Sequence, residues 1–128
     1  TAITVFSGTN GTADGDKVDV SAFGDTDNTV ALTTAGTFTI GANDVYYTVS
    51  AVVGDADTTA ASATYITADA AWTESVIGTT AYFVIADNDT SAIYEYAQIG
   101  VADSIISEAE LTLVGTIDTN MVITDIIA

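Results

Sequence analysis

Apolar and polar residues alternate over short stretches that end in clusters of Gly, Asp, Asn, Ser and Thr, the pattern of half-buried strands separated by turns. Ala2 to Phe6 opens the series, followed by the turn-rich segment Ser7-Gly8-Thr9-Asn10-Gly11-Thr12-Ala13-Asp14-Gly15-Asp16. Lys17 to Phe23 sets Val18, Val20 and Ala22 against Lys17, Asp19 and Ser21, an extended segment with one wet face. Thr29 to Thr33 and Thr37 to Ile40 are predicted as strands joined through Thr34-Ala35-Gly36. Val45 to Val53 is the longest predicted strand and ends at Gly54-Asp55-Ala56-Asp57. Thr80 to Ala86 and Ser91 to Gln98, joined by Asp87-Asn88-Asp89-Thr90, predict a hairpin. Leu111 to Ile117 and Met121 to Ile127 close the series.

Helical character is sparse. Between Ala60 and Ile77, Tyr65-Ile66 suggests a strand, whereas Ala68 to Val76 suggests one or two helical turns near Trp72, the reading favoured here. In Ala102 to Glu110, Ser107 followed three residues later by Glu110 has the spacing of a capping box. About eight to ten short strands with acidic turns and one or two short helical turns predict one all-β domain over residues 1–128, an antiparallel sandwich or jelly-roll-like fold.

Composition narrows the function. Eighteen Asp and Glu stand against one Lys, Lys17, with no Arg, His, Cys or Pro and a net charge of -17. Hydrophobic residues make up 48% of the chain, so the charge does not imply a disordered acidic tail. Nucleic acid is excluded as a partner, because phosphate binding needs several Lys or Arg. No apolar run approaches the ~18–20 residues that span a bilayer, so no membrane insertion is expected. Without His or Cys there is no imidazole or thiolate to ligate zinc, no disulfide and none of the usual nucleophile–base pairs. The carboxylates fall in turns, away from apolar faces that would raise a pKa for acid–base work, so no enzyme is expected.

What remains for binding is oxygen, which suits hard cations and above all calcium. The candidate ligands are Asp14, Asp16 and Asp19, then Asp25 and Asp27, Asp55 and Asp57, and Asp87 and Asp89. Asp-x-Asp spacing lets alternate carboxylates point to one side of a turn, with loop carbonyls completing the shell. The same residues also populate turns for their own sake, because Asp bonds to its neighbouring backbone. No cluster fits the twelve-residue helix–loop–helix calcium pattern. Trp72 could stack on a sugar, while Tyr46, Tyr47, Tyr82, Tyr94 and Tyr96 sit in strand patterns where packing is the expected role.

The segment Gly15-Asp16-Lys17-Val18-Asp19-Val20-Ser21-Ala22-Phe23-Gly24 resembles part of the C-terminal region of RTX-type proteins exported by type I secretion, the serralysin-like proteases among them. Ala81 to Asp87, Ala92 to Tyr96 and Ile106 to Thr116 are similar to segments that follow in such regions. The ending Asp125-Ile126-Ile127-Ala128 is similar to the acidic and apolar terminus of many type I substrates. The resemblance implies a secreted, extracellular or cell-surface protein, recognised by type I secretion machinery through an uncleaved C-terminal signal. It does not carry over the calcium β-roll or the protease, because the nonapeptide repeats and the zinc motif are absent.

Sheet edges usually carry Lys, Pro or other devices that stop edge-to-edge addition, and this chain has one Lys and no Pro. Ile3, Val5 and Phe6 at one end, and Val122, Ile123, Ile126 and Ile127 at the other, lie in apolar segments that a neighbour could accept as added strands. The expectation is a structural subunit forming a homo-oligomer or polymer, in a filament, tube or surface layer, with calcium bridging acidic faces. The alternative is an adhesin or carbohydrate-binding module of a larger type I-secreted protein, with Trp72 as its stacking platform.

Overall fold

The two most apolar runs, Thr80–Ala86 and Ser91–Ala97, form the central strands, since a run with few polar interruptions can be buried on both faces of a sheet. A computed structural model describes residues 36–117 in full and, beyond them, the backbone of residues 2–3, 18–19, 29–31 and 126–127. The described strands are β1 (Ala2–Ile3), β2 (Val18–Asp19), β3 (Thr29–Ala31), β4 (Thr37–Thr39), β5 (Val45–Val49), β6 (Ala71–Thr73), β7 (Thr80–Ala86), β8 (Ser91–Ala97), β9 (Leu111–Ile117) and β10 (Ile126–Ile127). Helix α1 spans Thr59–Asp69, and a 3-10 turn covers Glu108–Glu110.

Six strands form one sheet in the order β1-β9-β8-β7-β5-β3, and β10-β2 and β4-β6 form separate pairs. The domain is sheet-rich, as expected, but its pairing is mixed. Among the described residues only β7–β8 and β8–β9 are antiparallel, whereas β3–β5, β5–β7, β1–β9, β4–β6 and β2–β10 are parallel. The connection from β5 to β7 explains part of this. It runs through α1 and is long enough for the crossover that a parallel pair requires.

Alternation sorts the strand residues onto two buried faces. Tyr46, Ala81, Phe83, Ile85, Ala92, Tyr94, Tyr96 and Leu111 pack with Ala63 and Ile66 of α1 and Trp72 of β6. Tyr46 stacks on Phe83 with centroids 5.3 Å apart, and Trp72 stands edge-on to both at 5.2 and 5.3 Å. Val45, Tyr47, Tyr82, Val84, Ala86, Ile93 and Ile117 form the opposite core. The tyrosines assigned to packing are all buried.

Two predicted elements shift. The helix lies over Thr59–Asp69 and not around Trp72, because the Thr58 hydroxyl caps it by accepting from Ala61 N at 3.1 Å and alanine favours the turns that follow. Ala70 is already extended, and Trp72 lies on β6 with Nε1 donating to Ile66 O at 2.7 Å. The strand predicted to reach Val53 stops at Val49. Ser50 Oγ accepts from Val52 N at 3.0 Å and donates to the Asp55 carboxylate, side-chain bonds that draw the chain into a turn.

Candidate functional site

The hairpin turn Asp87–Thr90 is built around one buried carboxylate. Asp87 Oδ1 accepts from Asp89 N at 3.2 Å and Thr90 N at 2.8 Å, while Oδ2 accepts from Gly54 N at 2.9 Å and Ala56 N at 3.1 Å. Asn88 takes a left-handed φ of 71° at the tip, and Gly54 supplies its N–H from a φ of 103°. Burial by itself would raise the Asp87 pKa, but the N–H donors of Thr90, Ala56, Gly54 and Asp89 outweigh it and hold the carboxyl below its ordinary value. Asp87 thus ties the 50–57 turn to the hairpin. Four donors already occupy its oxygens, leaving a poor ligand for a cation.

The other described acids of the predicted calcium turns are dispersed. Asp55 is half-buried and accepts from Ser50, while Asp57 and Asp89 are exposed. Among the described residues, no group of three or more Asp or Glu side chains is arranged to hold a metal ion. Asp14, Asp16, Asp25 and Asp27 lie outside the described residues, as does the side chain of Asp19 on β2.

A second polar centre, not foreseen from the sequence, sits beneath the 98–107 segment. Glu74 and Glu110 are each 5% exposed. Glu74 Oε1 accepts from the Tyr96 hydroxyl at 2.7 Å, and Oε2 from Asp103 N at 2.7 Å. Glu110 Oε1 accepts from Ile99 N at 3.3 Å, and Oε2 from Ser107 N at 3.0 Å and Ser107 Oγ at 2.8 Å. The Ser107–Glu110 spacing was legible as a capping box, and the structure contains one. Burial pushes the Tyr96 phenol upward, and the Glu74 bond with the charges of Glu74, Glu110 and Asp103 pushes it further. Gln98, 2% exposed, adjoins these groups in the chain, and neither of its amide atoms meets a hydrogen-bond partner.

At the sheet margin, β1 pairs with β9 only through Ala2↔Thr116 and Ile3↔Ile117. The outer edge of β9 from Leu111 to Gly115 has no strand partner among the described residues, and Leu113 is exposed there. Of the predicted assembly residues, Ile3 lies on β1 and Ile126 and Ile127 on β10, which pairs in parallel with β2. Val5, Phe6, Val122 and Ile123 lie outside the described residues. Trp72 is 2% exposed within the aromatic cluster, so its indole offers no open face to a sugar ring.

Among the described residues, fold and polar centres together define a sheet-rich domain with one helix against its main sheet, a strand edge without a partner and buried carboxylates. Comparison with protein-family models, with curated proteins and with solved structures finds no match to this chain. No described helix is long and apolar enough to cross a membrane.

Proposed function

We propose that the chain is a secreted structural subunit that self-assembles by strand addition into an extracellular filament, tube or surface layer, with calcium bridging acidic faces of neighbouring subunits. The observation that carries this reading is the β9 edge. Its outer side from Leu111 to Gly115 lacks a strand partner among the described residues, and none of those five residues is proline or carries a charge. The two-residue parallel pairing of β1 with the end of β9 supports this reading, because a neighbour's strand added beside it would continue the same edge. Secretion through type I machinery rests on the resemblance alone. The carbohydrate-binding alternative loses its stacking platform with the burial of Trp72.

Negative-stain microscopy and sedimentation, at millimolar calcium and after chelation, test the proposal. Ordered polymers are expected with calcium, and Leu113→Lys should abolish them while leaving the circular dichroism spectrum unchanged. A monodisperse monomer at millimolar calcium overturns the reading.

A further inference from the structure

The main sheet ends in two unlike margins. At one, β9 carries β1 only at Thr116 and Ile117; at the other, β3 pairs inward with β5 through Thr29, Val30 and Ala31 and has no strand on its outer side among the described residues. Direction links the two. β3 runs parallel to β5 and β5 to β7, while β7–β8 and β8–β9 are both antiparallel, so β9 points the same way as β3. A second copy in the same orientation can therefore lay its β3 along β9 as one more parallel pair, the relation β1 already has to β9.

Length and charge fit this junction. The register of β9 with β8 passes from Gly115 to Leu113 and skips Val114, a bulge that bends the strand. Before the bulge, Leu111, Thr112 and Leu113 have no outer strand partner among the described residues, and β3 is itself three residues long. Thr112 and Leu113 are exposed. With a net charge of -17, copies repel wherever their acids meet, and these strands bring none: no Asp or Glu occurs from Asn28 to Asn43 or from Leu111 to Ile117.

Self-pairing of β9 fits less well. Across a twofold axis it is antiparallel, and with Thr112 facing Thr112 the Thr116 of one copy falls beside Glu108 of the other. Each β1, paired at Thr116 and Ile117, then runs into the 3-10 turn Glu108–Glu110 that leads into the other copy's β9.

We infer that the occupant of the β9 edge is β3 of a second copy, joined in parallel and head to tail. This rests on the assembly reading above and adds its geometry. A contact between unlike edges leaves one of each kind free and can repeat into an open polymer, whereas a β9–β9 contact stops at a dimer.

The chain has no cysteine, so single cysteines report the junction without background. Full chains carrying Leu113→Cys or Val30→Cys are assembled at millimolar calcium, mixed or separately, and treated with a short bismaleimide cross-linker. Covalent dimers are expected from the mixture and from neither variant alone. Blocked edges give a second reading. Leu113→Lys and Thr29→Lys should each sediment as monomers with unchanged circular dichroism, and mixing them should give heterodimers and nothing larger, through the one β9 edge and the one β3 edge left free. Covalent dimers from Leu113→Cys alone overturn the junction, as do polymers of Thr29→Lys. A mixture that cross-links neither with Val30→Cys nor with Ala31→Cys, while the parent chain polymerises, overturns the junction and leaves the assembly reading standing. A parent chain that stays monomeric at millimolar calcium overturns the assembly reading and the junction with it.

Discussion

Replacing Asp87 by Ala removes the acceptor for four backbone donors at once. Of these, Ala56 N is buried, Gly54 N and Thr90 N belong to half-buried residues, and Asp89 belongs to an exposed one that water can serve. A hydrogen bond to a charged group contributes about 1.5–3 kcal/mol, and a buried donor left unmade costs about 1–3 kcal/mol. Counting the buried and half-buried donors, and setting against them the desolvation that ionised Asp87 no longer bears, the loss is about 3–5 kcal/mol. That is a large part of the ~6–19 kcal/mol expected for a chain of this length. Urea denaturation at pH 7, followed by far-ultraviolet circular dichroism and Trp72 fluorescence, measures it. Hydrogen exchange should show lost protection at Gly54 and Ala56 before any global change. Acid gives a second reading. The folded Asp87 pKa lies below its ordinary value of 3.8, so its contribution is present above about pH 4 and lost as pH falls through the folded value. The stability gap between the parent chain and Asp87→Asn should therefore narrow between pH 5 and pH 2. A loss below about 1 kcal/mol for Asp87→Ala, or a gap that does not change with acid, refutes the reasoning.

Burial, reinforced by Asp44 and opposed by the Gly41 N–H, pushes the Tyr46 phenol from 10.0 to about 12. Its unfolded form ionises first, so about 2–3 kcal/mol of stability present below pH 10 should be lost between about pH 10 and pH 12. Alkaline unfolding curves of the parent chain and Tyr46→Phe should differ in that window. Trp72→Ala should cost about 3–5 kcal/mol by opening a cavity among Tyr46, Phe83 and Phe38, with polysaccharide pull-down unchanged. Gly54→Ala forces a Cβ into φ 103° and should cost about 1–3 kcal/mol. The effect should be non-additive with Asp87→Ala, because the two share a hydrogen bond.

Much of the sheet could be read from residue order. The β7–β8 hairpin was legible because two apolar runs flank an Asp-Asn turn, and β9 because Leu111 follows the Ser107–Glu110 cap. Helix α1 was displaced in the reading because its inward residues are only Ser62, Ala63 and Ile66, too few to impose a helical period, while Trp72 drew attention instead. Parallel pairing was not legible, since apolar alternation specifies which face a residue takes but not the direction of the strand beside it. The site was harder still. Asp87 looks like any turn acid until the 50–57 turn is folded onto it, and Glu74 gains its role through Tyr96, 22 residues away.

The way carboxylates are held among the described residues fixes how the folded chain responds to its medium. A protein stabilised by ion pairs loses attraction as electrolyte rises and the Debye length shrinks to about 10 Å at 0.1 M and about 3 Å at 1 M. Here the buried acids are held by backbone N–H groups and hydroxyls, with Lys17 the sole cation in the sequence. Among the described residues electrolyte therefore has little ion-pair attraction to erode, while the net charge of -17 gives it a mutual repulsion to damp. Raising the salt concentration should shift thermal unfolding upward, the opposite of what a fold held by exposed ion pairs would do.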